Sequence, residues 1–199
     1  MSKHVFTYLA LGDSYTIGES VPLYENYPYQ TVYLLRKEGI LLHTPEIVAK
    51  TGWTSFELAE KMLHTPLLEQ YDFISLLIGV NNQYRGLPLD SFQSDIDFLL
   101  RKAIHLSGNK KERVFVLSIP DWGQTSFAEK EKSAVIAAEI NAFNEVCERL
   151  AKLQGVSFIN ITEETRKASQ EKGLLANDQL HYSGRAYAIW AKKLAEKMK

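Results

Sequence analysis

Residues 73–78 of the chain are FISLLI, an almost unbroken apolar run. A second run of the same character, VFVLSI, occupies residues 114–119. Strands that helices cover on both faces have such sequences, whereas strands with one solvated face alternate apolar and polar residues. The two runs therefore predict strands inside a parallel sheet.

Further β-rich segments alternate with helical patterns on either side of these runs. The strand candidates are His4–Leu11, Glu46–Ala49 and Val156–Ile161, and the helix candidates are Tyr27–Glu38, Ser55–His64, Leu89–Leu106, Ala128–Gln154 and Gly184–Met198. This alternation is typical of an open parallel sheet with right-handed crossovers. We therefore predict an α/β fold, a three-layer α/β/α sandwich around a mainly parallel sheet of four or five strands.

The size and charge of the chain narrow the class of protein. Its 199 residues, 45% hydrophobic and 24% charged, suit one globular domain over residues 1–199. The net charge of −1 gives no reason to expect nucleic acid or an anionic membrane as partner. The sequence does not indicate an oligomeric state.

Three features bear on the compartment. No apolar segment approaches the ~20 residues that span a bilayer. The N-terminal MSKHVFTYLALGDS contains an apolar stretch that is too short for a secretory signal. The one cysteine, Cys147, excludes an internal disulfide and fits a reducing compartment. We expect a cytoplasmic protein without stable membrane association.

In a doubly wound sheet, ligands bind beyond the carboxyl ends of the strands. The segments that follow the predicted strands there are Gly12–Gly18, Lys50–Thr54, Gly79–Gly86 and Pro120–Thr125. All four are rich in Gly, Asn, Ser or Thr, which suits a binding site but also suits ordinary turns. We predict that these four segments are loops.

Several common catalytic signatures are absent. The chain has no G-x-S-x-G elbow, no Walker A motif and no G-x-G-x-x-G after the first strand. Its five histidines show no metal-ligand spacing, so no metal site is expected. Cys147 lacks a flanking glycine turn and is interpreted as a packing residue.

The segment NDQLHYSG near the C-terminus suggests a base. Asp178 precedes His181 by three residues, a spacing at which a carboxylate can fix the imidazole tautomer. A serine hydroxyl needs such a base, because its own pKa is too high for it to ionise. Ser14, among glycines directly after a strand, is the candidate nucleophile, although Asp178 could instead cap the last helix.

Two other segments carry donors suited to an oxyanion. Gly52 can present its backbone N–H without a side chain in the way, and Asn81 can donate from its side-chain amide.

Taken in order, GDSYTIG, TGWTS, GVNN and DQLH resemble the consensus blocks of the SGNH hydrolases, also called the GDSL esterase/lipase family. The resemblance implies a flavodoxin-like sandwich with a Ser14–His181–Asp178 triad. It also implies an oxyanion hole built from Ser14, Gly52 and Asn81, and a mechanism that needs neither a metal nor an organic cofactor. The implied activity is hydrolysis of small-molecule esters of the esterase or lipase type, including deacetylases and lysophospholipases. The loops carry no lid-sized insertion, which favours small or short-chain esters.

The sequence departs from the family pattern at two positions. Tyr15 replaces the leucine after the nucleophile, and Asn82 replaces the aspartate that usually ends the third block. Asn82 could keep the hydrogen bonds of that loop while losing its charge. Asp13 is expected to bond to loop amides rather than to orient His181.

The residues that could contact substrate are less clearly indicated. The candidates are Asp13, Tyr15, Tyr24, Tyr27, Asn82, Arg85 and Trp122. Arg85 could recognise an anionic group, and the aromatic residues could equally cover the edge of the core. Two other functions remain open, an acyltransferase that uses the same triad and a non-catalytic flavodoxin-like ligand-binding module.

Overall fold

A computed structural model of the protein describes residues 4–168, 171 and 173–199. Residues 1–3, the beginning of the N-terminal segment MSKHVFTYLALGDS, lie outside the described residues. The described chain forms a five-stranded sheet with strands β1 (Tyr8–Gly12), β2 (Glu46–Ala49), β3 (Phe73–Leu77), β4 (Val114–Leu117) and β5 (Ser157–Ile159). The strand order is β2-β1-β3-β4-β5, and every neighbouring pair is parallel.

Helices follow the strands and cover the sheet. They are α1 (Ser14–Ile17), α2 (Tyr27–Lys37), α3 (Ser55–His64), α4 (Val80–Tyr84), α5 (Leu89–Leu106), α6 (Ser133–Gln154), α7 (Thr162–Ala168) and α8 (Gly184–Met198). Short 3₁₀ turns cover Leu23–Glu25, Lys111–Arg113, Trp122–Gln124 and Lys130–Lys132.

The core lies on both faces of the sheet. Every residue of β1, β3 and β4 is buried, which confirms the interpretation of the apolar runs. Helices α2 and α8 pack against each other, while α3, α5 and α6 form a second contiguous group. The result is the predicted α/β/α sandwich, with a sheet that is wholly parallel.

The sequence predicts the long helices and strands more accurately than the short ones. Helix α3 has the predicted bounds Ser55–His64, and Thr54 and Glu57 form a reciprocal capping box at its start. The predicted helix Ala128–Gln154 begins only at Ser133, because a 3₁₀ turn precedes it. The first strand begins at Tyr8 rather than His4, and Phe6 instead makes an isolated bridge to Leu42.

Two predicted loops contain helices. Residues 14–17 and 80–84 form α1 and α4, although Gly12–Gly18 and Gly79–Gly86 were expected to be irregular. Each helix is only about one turn long, so no hydrophobic periodicity can reveal it. Helix α7 was also not predicted.

The strand order fixes where a ligand can bind. Strand β1 lies between β2 and β3. From β1 the chain crosses to β2 on one side of it, and from β2 it crosses back to β3 on the other side. This topological switch opens a crevice at the carboxyl ends of β1 and β3. Among the described helices, none is long and apolar enough to cross a membrane.

Candidate active site

Ser14 lies at the point where β1 passes directly into α1. Gly12 permits this close passage, because a Cβ there would lie 2.1 Å from Thr16 Oγ1 and 2.4 Å from the Leu77 carbonyl oxygen. Gly18, at φ +76°, ends the short helix and donates its N–H to Ser14 O at 3.1 Å. The two glycines thus hold Ser14 on a single helical turn at the crevice.

Asp13 stabilises the helical turn that carries Ser14. Its Oδ1 accepts a hydrogen bond from the Tyr15 N–H at 3.0 Å, as expected for a residue that bonds to loop amides. Its side chain is fully buried, and Oδ2 has no hydrogen-bond partner in the described part of the chain. Burial raises the pKa of Asp13 to about 7, against the opposing effect of the Tyr15 hydrogen bond.

His181 and Asp178 form a close pair in the segment before α8. Asp178 Oδ2 lies 2.6 Å from His181 Nδ1, and Oδ1 accepts the His181 N–H at 2.9 Å. Ser20 donates a further hydrogen bond to Oδ2 at 2.6 Å, and Leu180 N–H donates one to Oδ1 at 3.0 Å. Partial burial alone would raise the pKa of Asp178, but these hydrogen bonds hold it well below its usual value.

The paired imidazole faces the same cleft as Ser14. Ser14 and His181 both line that cleft, and both are nearly buried. The ring of Tyr15 packs against the imidazole at 5.3 Å between centroids. Within the described residues no hydrogen bond joins Ser14 to His181; such contacts are often long in unliganded sites and shorten when substrate binds.

Three residues that line the cleft, Ser14, Gly52 and Asn81, have hydrogen-bond donors to offer. As the first residue of α1, Ser14 has an N–H with no acceptor inside its helix. The Gly52 N–H has no acceptor among the residues that the structure describes, and Gly52 lines the cleft at φ +83°. Asn81 also lines it and uses its side-chain amide to hold the Trp53 carbonyl oxygen at 2.9 Å, which leaves the second amide hydrogen.

Asn82, the unusual residue of the third block, faces away from the cleft. Its Oδ1 accepts the Ser55 N–H at 2.9 Å, and its Nδ2 donates to Ser55 Oγ at 2.8 Å. Ser55 Oγ in turn donates to Asp95 Oδ2 at 2.6 Å. The amide therefore joins α4 to the start of α3, and the negative charge of this network belongs to Asp95.

The cleft itself is small and has an aromatic wall. Its volume is about 200 Å³. Its lining residues are Ser14, Tyr15, Thr51, Gly52, Val80, Asn81, Tyr84, Trp122, Phe127, Leu180 and His181. The Trp122 ring packs against Tyr84 and Phe127, with centroids 5.3 and 6.2 Å apart, and its indole N–H donates to Gln83 Oε1 at 2.7 Å.

A model of the GDSL-like Lipase/Acylhydrolase family matches residues 10–189. The chain belongs to this family. That membership confirms the resemblance carried by the four sequence blocks, and it makes the protein a GDSL-type serine esterase that acts on small-molecule esters. No curated protein matches the chain.

Solved structures similar to this GDSL-type hydrolase share its fold at low identity. TesA has a TM-score of 0.76 at 17% identity, with 97% of this chain and 98% of that chain covered. Axe2, an acetylxylan esterase from Geobacillus stearothermophilus, has a TM-score of 0.76 at 16% identity, with 97% and 94% covered. The psychrotrophic esterase EstA from Pseudoalteromonas sp. has a TM-score of 0.71 at 17% identity, with 96% of each chain covered.

The structure separates the predicted substrate contacts into two groups. Tyr15 and Trp122 line the cleft. Asp13 and Asn82 are buried in the structural contacts described above, and Tyr27 lies in the core with its hydroxyl 3.3 Å from Thr16 Oγ1. Asp13, Asn82 and Tyr27 are therefore buried and do not line the cleft.

The remaining two candidates also lie outside the cleft lining. Tyr24 lines a separate groove of about 600 Å³ between α2 and the start of α8. Arg85 donates to the Gly52 carbonyl oxygen at 2.6 Å.

Several residues of the site were not found from the sequence. Thr51, Val80 and Leu180 line the cleft, and each belongs to one of the four sequence blocks. The blocks could therefore have indicated them. Phe127 and Ser20 had no such signal. They meet the site through packing of segments that are distant in sequence from the residues they contact.

Proposed function

We propose that this protein hydrolyses short-chain carboxylic esters, with Ser14 as nucleophile, His181 as general base and Asp178 as the residue that orients the imidazole. One observation carries the proposal: Ser14 and His181 face a single cleft in which His181 is already paired with Asp178 at 2.6 Å. Structural roles alone do not require this convergence of residues from opposite ends of the chain.

Acylation begins at Ser14. His181 Nε2 accepts the hydroxyl proton as Oγ attacks the ester carbonyl, and Asp178 stabilises the imidazolium through Nδ1. The carbonyl oxygen becomes an oxyanion, to which the Ser14 N–H, the Gly52 N–H and the Asn81 amide donate. Removal of one such donor typically costs roughly 10²–10³ in turnover.

The intermediate then collapses and is hydrolysed. His181 gives its proton to the leaving alkoxide, which departs as an alcohol and leaves an acyl group on Ser14 Oγ. Water attacks this ester and loses its proton to His181, which passes the proton to Ser14 Oγ as the bond to the acyl group breaks and the acid product leaves. Every proton in this cycle passes through His181.

The volume and the lining of the cleft favour a substrate with a small acyl group. Its volume of about 200 Å³ lies below the roughly 300–1,000 Å³ of pockets that enclose drug-sized ligands. Val80 and Leu180 are apolar, and Tyr84, Trp122 and Phe127 form an aromatic side, so the lining favours an uncharged acyl or leaving group.

The test is hydrolysis of p-nitrophenyl acetate, butyrate and octanoate by the wild type and by Ser14→Ala. We expect activity on the two shorter esters, little on octanoate, and loss of activity in the variant. Ser91→Ala is the matched control, because Ser91 is an exposed serine on α5 whose hydroxyl donates to the Pro88 carbonyl oxygen. Equal rates for wild type and Ser14→Ala would refute Ser14 as the nucleophile.

A fluorophosphonate probe tests the same assignment without a choice of ester. It reacts with an activated serine, and we expect the wild type and Ser91→Ala to be labelled but not Ser14→Ala. Faster hydrolysis of octanoate than of butyrate would contradict the short-chain preference alone.

A further inference from the structure

Arg85 joins helix α4 to the turn that carries Gly52. Its Nη2 donates to the Gly52 carbonyl oxygen at 2.6 Å, and its Nη1 lies 3.5 Å from Glu57 Oε2. Arg85 follows Asn81 by four residues and closes α4 by donating its backbone N–H to Asn81 O at 3.1 Å. Residues four apart project from the same side of a helix, so both side chains reach towards the turn.

The two side chains hold consecutive carbonyl groups of that turn. Asn81 Nδ2 donates to the Trp53 carbonyl oxygen at 2.9 Å, next to the Gly52 carbonyl held by Arg85. On the other side of Gly52, the Thr51 hydroxyl donates to the carboxylate of Glu19. Gly52 is therefore held from both directions.

The direction of the Gly52 N–H depends on the type of this turn. Trp53 N–H donates to Lys50 O at 3.2 Å, and Gly52, the third residue, has φ +83°. A positive φ at that position is the signature of a type II turn. Type I and type II turns differ by a flip of the central peptide group, and that group contains the Gly52 N–H.

Gly52 itself does little to choose between the two turns. Glycine adopts positive and negative φ with similar ease. A Cβ built on Gly52 would approach only Arg85 Nη2, at 3.7 Å, so the surrounding atoms leave room for movement. Contacts made by neighbouring groups must therefore select the conformation.

We propose that Arg85 is a positioning residue: by holding the Gly52 carbonyl it anchors the peptide group that follows Gly52, and so restrains the residue whose N–H is directed at the oxyanion. This inference rests on the proposed function. It assigns Arg85 a role different from recognition of an anionic substrate.

The contact contributes little to folding, which makes activity the informative measurement. Arg85 and Glu57 are each more than 40% exposed at their side chains, and exposed ion pairs add little stability. Arg85→Met should therefore remain folded while Gly52 loses the anchor on its carbonyl group.

We expect Arg85→Met to lower kcat on p-nitrophenyl butyrate by roughly 10–100-fold, part of the cost of losing an oxyanion donor. KM should change by less than about twofold, because the affected contact forms with the transition state. Arg85→Lys should lose less than Arg85→Met, since an ammonium group can still bond to one carbonyl. Unchanged kcat in Arg85→Met, or a rise in KM alone, would overturn the proposal.

Arg101→Met is the matched control. Arg101 forms an exposed ion pair with Asp97 at 2.7 Å on α5, so its removal costs a similar surface contact away from the cleft. We expect its kcat to stay within about twofold of the wild type.

A double-mutant cycle tests whether Arg85 acts through Gly52. Gly52→Ala disfavours the positive φ and should reduce kcat by itself. If both changes act by releasing Gly52 from its position in the turn, the double variant should lose no more than the more impaired single variant. Multiplied losses would show that Arg85 acts elsewhere and would overturn the proposal.

Amide spectroscopy gives a readout that does not depend on ester turnover. We expect the Gly52 and Trp53 amide resonances of ¹⁵N-labelled Arg85→Met to broaden or shift, while those around Asp97 stay in place. Unaltered Gly52 and Trp53 resonances would refute the positioning role. A wild type without Ser14-dependent hydrolysis would instead refute the proposed function, and the spectra would still decide whether Arg85 fixes the turn.

Discussion

Asp178 and His181, three residues apart, are joined twice: the backbone N–H of His181 donates to Asp178 Oδ1 at 2.9 Å, and Nδ1 lies 2.6 Å from Oδ2. One carboxylate thus fixes both the chain direction and the ring orientation of the same histidine. Ser20, from the segment after α1, adds a hydrogen bond to Oδ2 at 2.6 Å. The segment that follows the proposed nucleophile therefore also bonds to the carboxylate that holds His181.

Asp178→Asn should lower kcat by roughly 10³–10⁴-fold with little change in KM. The amide can keep some of the hydrogen bonds but cannot stabilise the imidazolium. The check is steady-state kinetics on p-nitrophenyl butyrate, with circular dichroism to verify the fold. Wild-type kcat in this variant would show that His181 does not need the carboxylate.

The same substitution should also change stability in a pH-dependent way. The pKa of Asp178 is lower in the folded protein than the usual value of about 3.9, so its ionisation stabilises the fold above that pH. The stabilisation disappears as the pH falls through the folded-state pKa. We expect the Tm difference between wild type and Asp178→Asn to be largest above pH 5 and to shrink at lower pH.

Asp13→Asn should have the opposite pH dependence. Burial raises the pKa of Asp13 to about 7, so between about pH 4 and pH 7 the unfolded chain releases a proton that the folded protein retains. Wild-type stability therefore falls as the pH rises through this range. The asparagine variant lacks this loss and should be the more stable protein at pH 8, by at most about 4 kcal/mol.

Urea unfolding at pH 4, 6 and 8 measures this difference. The ionisable groups around Asp13 include Tyr15, Tyr27 and Tyr187, and burial raises the pKa of each of them. They stay neutral across the range, which leaves Asp13 as the group that titrates among these four. A stability difference that does not vary with pH would show that Asp13 is ionised throughout.

Patterns within one element made the fold predictable. The apolar runs at 73–78 and 114–119 predicted buried parallel strands, and the helical pattern of Ser55–His64 predicted the bounds of α3. Each of these signals depends on residues that are neighbours in sequence. Helices α1 and α4 are too short to produce such a pattern, and their geometry depends on contacts across the crevice.

The site was predictable only where its residues lie inside short blocks. Asp178 and His181 share one segment, so their spacing indicated a pair. Arg85 was interpreted as an exposed charge or an anion ligand, because its contact with Gly52 joins residues 33 positions apart. Phe127 reaches the cleft from a segment with no motif, and only the folded chain reveals its place.

Cys147 should be inert in the native protein. It is buried in α6, and burial raises the pKa of its thiol to about 12. We expect no reaction with Ellman's reagent at pH 8 until guanidinium unfolds the chain, when one thiol per chain should react. Rapid labelling of the folded protein with loss of esterase activity would contradict this expectation.

Asn82→Asp, which restores the residue that is usual in the family, should lower both the stability and the activity of this protein. The Asn82 amide donates to Ser55 Oγ, which frees the serine hydroxyl to donate to Asp95. A carboxylate at position 82 cannot donate, so two carboxylates would compete for one hydroxyl. We expect a loss of roughly 1–3 kcal/mol in the free energy of unfolding, and a lower kcat because α4 also carries Asn81.

Asp95→Asn added to Asn82→Asp should reverse most of that loss. In the double variant the carboxylate and the amide exchange places around Ser55, so the hydroxyl again has one carboxylate acceptor and one amide donor nearby. Urea unfolding of the two single variants and the double variant gives the coupling energy directly. If Asn82→Asp matches the wild type in stability, or if Asp95→Asn lowers stability further in its presence, Asn82 and Asp95 do not share one charge through Ser55.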